Sequence, residues 1–160
     1  MVFFELTRAL LNQDTENQYL LVTDTDDVTV LSVIYARLEC IGQKNVEVVS
    51  LSGKNRFLWN LVSVPLFLLR RKVDVYHTQY ILPFFVPRRT KVLTHVHDVS
   101  FCAYPQLIGW KDRLFLSLLI PPSLRRADLI LVPSQFTKDE IVRYYRIQPE
   151  KISVVSNAVS

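Results

Sequence analysis

Apolar residues follow two alternating rhythms along this chain. Short β-branched runs occur at YLLVT (19–23), VEVVSL (46–51), VDVYH (73–77), KVLTHVH (91–97), ADLILVPS (127–134) and KISVV (151–155). Between them lie longer stretches, 2–12, 28–41, 55–71, 111–126 and 135–145, patterned as helices. The first kind fits buried strands and the second helices. Their alternation predicts βαβ units, hence an α/β fold with a Rossmann-like, mostly parallel sheet flanked by helices. Ser134 is placed to cap the last helix, with Asp139 and Glu140 near its first turn, where negative charge complements the helix dipole. There is no internal repeat or low-complexity segment.

The chain opens in a helical pattern, with Phe3, Leu6 and Leu10 on one face. An α/β domain ordinarily opens with a strand feeding a glycine-rich turn, and in a doubly wound sheet that first strand is central. The expectation is therefore one domain over 1–160 that is truncated at its start. The stop after VVSNAVS, just past a strand, extends that expectation to its end.

Composition narrows the classes. At 160 residues and 49% apolar, the chain can bury one sizeable core. Nineteen Lys and Arg against fifteen Asp and Glu leave a net charge of +4, too thin a surplus for a dedicated nucleic-acid binder. Cys40 and Cys102 are too few for a disulfide framework, and Glu5 and Arg8 interrupt the opening where a secretory signal would be apolar. A cytoplasmic location is expected, with the membrane surface as its alternative. FLWNLVSVPLFLL (57–69) is too short to span a bilayer and contains Pro65. Flanked by Lys54, Arg56, Arg70, Arg71 and Lys72, it reads either as a buried helix or as an interfacial one with Trp59 at headgroup level.

Ligands of open parallel sheets collect at the carboxyl ends of strands. Polar residues gather there: His77 at the end of one run, His95 to Asp98 at the end of the next, Ser134 at the end of another. If the strand persists, His95 and His97 share one face and Val96 and Asp98 the other. A His-x-His pair is a familiar metal-ligand spacing, but the remaining ligands are not evident, and no metal is expected. Ser134 lies in LVPSQFT rather than in a G-x-S-x-G elbow, and its simplest role is the helix cap. With glycine only at 42, 53 and 109, neither a dinucleotide fingerprint nor a phosphate-binding P-loop is present.

Three segments in order, DVYHTQYILPFF, KVLTHVHDVSFCAYPQ and PSLRRADLILVPSQFTKDEIVRYYRIQPEKISVVSNAVS, resemble the N-terminal domain of family 4 glycosyltransferases of the GT-B fold. The opening FELTRALLNQDTENQYLLVTD resembles that family's first helix and second strand, and residues 24–72 are least diagnostic. The resemblance implies retaining transfer of a sugar, of hexosyltransferase type, from a nucleotide sugar to an acceptor hydroxyl. The acceptor would be a glycan or a lipid-linked molecule, as in polysaccharide biosynthesis, with no cofactor or metal. It also implies that this half receives the acceptor, while a C-terminal domain, in cis or in trans, binds the nucleotide. The chain alone is then expected to be inactive.

Matched position by position, His97 and Asp98 take the family's His-Asp and are the catalytic candidates, His97 for transfer chemistry and Asp98 for shaping or polar contact in the cleft. His77 matches a histidine on the acceptor side, and Ser134 and Asn157 are further substrate-binding candidates. His95 has no assignment beyond support of the strand end. Glu39 and Glu47 have the family's Glu-x7-Glu spacing but run from a helix end into a strand of the wrong half, and read as solvated surface charge. SNAVS stands where the family has PNGVD: Asn157 keeps the polar residue, and Ala158 forfeits the free φ of glycine. The rival reading is a non-catalytic interaction module or a peripheral membrane-binding domain that needs a partner domain.

Overall fold

A computed structural model describes residues 2–51, 55, 58–104, 106 and 108–156. The chain forms two compact units, Met1–Val64 and Pro65–Ser160. Both are built from parallel strands with helices, so the α/β fold read from the alternating pattern is the fold observed.

In the first unit α1 (Val2–Gln13) precedes β1 (Tyr19–Thr23), and α2 (Val28–Arg37) leads on to β2 (Val46–Ser50). The strands pair in parallel from Tyr19↔Val46 to Thr23↔Ser50, a register that needs a crossover connection such as α2. Asp27 starts α2 by accepting the N–H groups of Thr29 and Val30, two of the donors a helix start leaves unpaired. The helix stops before the predicted residue 41 because Glu39 turns left-handed, at φ 54°, and the Cys40 N–H bonds back to the Tyr35 carbonyl. That turn lets both Leu38 and Cys40 bury with Leu11, against Phe4, Tyr19, Leu21, Ile34, Tyr35 and Val46.

A π-helical turn, Trp59–Ser63, runs into α3 (Val64–Arg70). Pro65 has no N–H to offer the carbonyl four residues earlier, and the helix widens in the turn before it. Val64, Phe67 and Leu68 are buried, while Leu58, Leu61, Val62, Leu66 and Leu69 are exposed. Burial therefore accounts for one stripe of this apolar segment only.

The second unit is a four-stranded sheet of β3 (Val75–Gln79), β4 (Lys91–His95), β5 (Leu129–Val132) and β6 (Ile152–Val154), parallel throughout and in that spatial order. Around these strands in sequence come α4 (Ser100–Ala103), α5 (Trp110–Arg126) and α6 (Gln135–Tyr145), with a 3-10 turn at Pro149–Lys151. Val92, Val96, Ile120, Leu124, Ile130, Val132, Ile141 and Ile152 are buried. Pro121 and Pro122 lie inside α5. Beside them the Ser123 hydroxyl donates to the Leu119 carbonyl and accepts the Leu82 N–H, tying the loop after β3 to this helix.

One carboxylate holds the amino ends of the sheet. Asp128 accepts the Val92 N–H at 2.9 Å, Lys91 at 3.1 Å and Arg126 at 3.2 Å. Burial alone would raise its pKa, but these three donors overcome it and hold the carboxyl below its ordinary value. Its side chain is 35% exposed, so solvent screens part of the gain. Asp128→Ala is expected to destabilise the fold by about 1–2 kcal/mol, read as a lower urea midpoint at neutral pH.

Candidate functional site

Strand register assembles the histidines. In the β3–β4 ladder His77 faces Leu93 and Gln79 faces His95, which sets His77 diagonally beside His95. Sequence reading put His77 at the end of its strand; it lies in the middle of β3. The Val73 and Asp74 carbonyls are taken by the Thr90 hydroxyl and the Lys91 N–H, and pairing begins only at Val75 and runs on to Gln79. Similarly β4 ends at His95 rather than His97, although the Val96 N–H still reaches the Leu131 carbonyl.

The three imidazoles form a stack. His77 and His95 are 6.5 Å apart with nearly parallel rings, at 10°, and His95 and His97 are 4.5 Å apart at a 34° tilt. His95 is 2% exposed, and among the described residues neither of its ring nitrogens has a hydrogen-bond partner. It supports the strand end by packing rather than by hydrogen bonding. Burial, then the neighbouring His97, pushes the His95 pKa down. Burial, then His95, pushes His77 down to about 4. Both rings are therefore neutral at pH 7.

His97 is half-buried and is positioned from three sides. His95 lies beneath it, the Tyr80 ring lies 5.9 Å away at a 56° tilt, and the Thr137 hydroxyl donates to its carbonyl at 3.5 Å. Thr137 is itself held by Ser134, whose hydroxyl accepts the Thr137 N–H at 3.1 Å. Ser134 thus caps α6 as expected, and through Thr137 it reaches the loop of His97. Asp98 is exposed, and its carboxylate accepts both the N–H and the hydroxyl of Ser100, which turns the chain into α4.

Sequence reading missed Tyr80 and Thr137. Tyr80 has a left-handed backbone, at φ 54°, its N–H bonds the His95 carbonyl, and its hydroxyl accepts the Asp98 N–H at 3.2 Å. The signal available was its place at the carboxyl end of a strand, in HTQY. Tyr80→Phe keeps the ring and removes that acceptor, and is expected to cost about 1 kcal/mol with faster hydrogen exchange at the Asp98 amide.

Asn157 lies outside the described residues. Among the described residues no group of three or more His, Cys, Asp or Glu is arranged to hold a metal ion. Glu39 and Glu47 are both exposed, and Glu39 pairs with Arg8 at 3.2 Å.

The sequence profile of Glycosyltransferase Family 4 matches residues 2–160. The chain belongs to this glycosyltransferase family. It is also similar to the O-antigen chain mannosyltransferase RfbU of Salmonella typhimurium strain LT2, with 32% identity over 72 residues. That stretch is 45% of this chain and 20% of the relative, so the match spans a fifth of the relative's length. The family match includes residues 24–72, the part least diagnostic by motif. Among the described residues of this glycosyltransferase chain, no helix is long and apolar enough to cross a membrane.

Proposed function

We propose that this chain is the acceptor-side half of a retaining hexosyltransferase. It would work with a second domain, in cis or in trans, that binds most of the nucleotide sugar, at the cytoplasmic face of a membrane or in the cytoplasm. The acceptor is a glycan or a lipid-linked molecule. The observation that carries this reading is His97, which is half-exposed, follows a strand end and is braced by His95, Tyr80 and Thr137. An imidazole carries two ring nitrogens that can hydrogen-bond. At a donor sugar such a group can hold one hydroxyl while the acceptor oxygen attacks the anomeric carbon from the face that the nucleotide leaves. The new C–O bond forms as the bond to the departing phosphate breaks, and that phosphate takes the acceptor's proton. His97 contributes by positioning and by hydrogen bonding to developing charge. Asp98 shapes the loop, His77 serves the acceptor side, and Ser134 and Asn157 are further substrate-binding candidates. This reading requires neither metal nor cofactor, so elemental analysis that found about one dialysis-resistant zinc per chain would count against it.

The division of labour is tested by calorimetry. The isolated chain is expected to show neither sugar transfer nor micromolar affinity for nucleotide sugars, and a micromolar Kd would overturn it.

A second reading has its own observation. On α5, Trp110, Leu114 and Leu118 are exposed at four-residue spacing, with Lys111 and Arg113 among them. Such a face suits the interface of an anionic membrane. Salt-sensitive binding to anionic vesicles that is lost in Trp110→Ser with Leu114→Ser would support it. Equal binding to neutral vesicles would argue against the electrostatic part.

A further inference from the structure

A cavity of about 250 Å³ opens between α4, with the residues that flank it, and one side of α6. Asp98, Tyr104, Phe136, Glu140, Arg143 and Tyr144 line it. Helical spacing brings Phe136, Glu140, Arg143 and Tyr144 to one side of α6. Tyr104 follows α4, and α4 is tied to α6 by the Cys102 thiol and the Tyr145 hydroxyl, 3.0 Å apart. The walls of the cavity are thereby joined.

The lining is unusual for surface. Phe136 is 73% exposed, and Tyr104 and Tyr144 are exposed as well. The Arg143 guanidinium lies 5.5 Å from the centre of the Tyr144 ring. Aromatic faces left to water, rimmed by two carboxylates and a guanidinium, match a molecule with one apolar face and a belt of hydroxyls. We propose that this cavity seats one neutral sugar ring of the acceptor. The ring stacks on the aromatic faces, its hydroxyls donate to Asp98 and Glu140, and Arg143 donates to a ring or hydroxyl oxygen.

Size and charge both restrict the occupant. The volume falls below the roughly 300–1,000 Å³ of sites for drug-sized ligands, which suits a single ring. Asp98 and Glu140 against Arg143 disfavour a uronate or a phosphate, because like charges at short range repel. Position links the cavity to the reaction. Asp98 adjoins His97 in sequence, and Thr137, which also lines the cavity, bonds the His97 carbonyl. A sugar seated here would sit on the same loop as the residue proposed for transfer, so the subsite rests on the acceptor-side reading.

The test is an NMR titration of the full chain with the methyl glycosides of mannose, glucose and galactose, with glucuronate and uridine as comparison probes. At least one methyl hexoside is expected to give saturable shifts at Tyr104, Phe136, Glu140 and Tyr144. Phe136→Ala and, independently, Tyr104→Ala are expected to weaken that binding at least tenfold without lowering the melting temperature, since both rings are exposed. The proposal is overturned if no methyl hexoside gives saturable shifts, if affinity survives in both variants, or if glucuronate or uridine binds more tightly. No nucleotide sugar enters this titration. Its failure therefore removes the subsite while leaving the role of His97 to its own kinetic test.

Discussion

His97→Ala is expected to lower turnover by roughly 30- to 1,000-fold in the transfer reaction, with little change in substrate affinity. Losing one hydrogen bond aimed at charge that develops in the transition state costs on the order of 2–4 kcal/mol. An interaction made chiefly in the transition state acts on kcat rather than on KM. His95→Ala is expected to act differently. Its ring is buried between His77 and His97 and makes no hydrogen bond among the described residues, so truncation opens a cavity and costs stability, about 1–3 kcal/mol. His95→Leu fills the space and removes two unsatisfied polar atoms, and should fold at least as well as His95→Ala. The measurement is steady-state kinetics of each variant, supplied with a nucleotide-binding second domain, beside its melting temperature. Retained turnover in His97→Ala, with turnover but not stability lost in His95→Ala, would reverse the assignment.

Acid should loosen the second unit well above the range in which carboxylates titrate. The His77 pKa is about 4 in the fold against an ordinary 6.5. Below pH 6.5 the unfolded chain therefore takes up a proton that the folded chain refuses. The sign follows: stability is full above pH 6.5 and is lost progressively as pH falls toward about 4. The full shift would correspond to about 3 kcal/mol, and the ring's partial exposure reduces the expected loss to about 1–2 kcal/mol. His95 acts in the same direction, since burial also pushes its pKa down. Urea midpoints measured from pH 7 to pH 4.5 should fall in the wild-type chain and stay nearly level when His77→Gln and His95→Leu are combined. An equal slope in the double variant would show that these rings do not carry the effect. Asp128 contributes separately and only at lower pH, because its depressed pKa gives a contribution that is full above the ordinary 3.8 and is lost as pH falls below it.

Much of this architecture is legible in the primary structure. Short β-branched runs and longer helical stretches each need only local residues to declare themselves, which is why each of the six strands among the described residues overlaps a predicted run, β3 passing the end of its own, and why the pattern indicated an α/β fold. The capping role of Ser134 is equally local, because a hydroxyl beside a helix start meets an N–H three residues on. The motif order that runs through His97 and Asp98 to SNAVS pointed to the family to which the chain belongs.

Tertiary structure decided the rest. Whether His77 ends its strand or lies inside it depends on which carbonyls Thr90 and Lys91 take, more than a dozen residues away. The contact of His95 with both other imidazoles follows from the β3–β4 register, which no single strand specifies. Tyr80 and Thr137 join the site only because a left-handed turn and a helix start are brought to the same strand end. Periodicity records which face of an element is apolar. Register and burial are set by partners distant in sequence, so the chain alone announced its elements while packing chose which side chains meet.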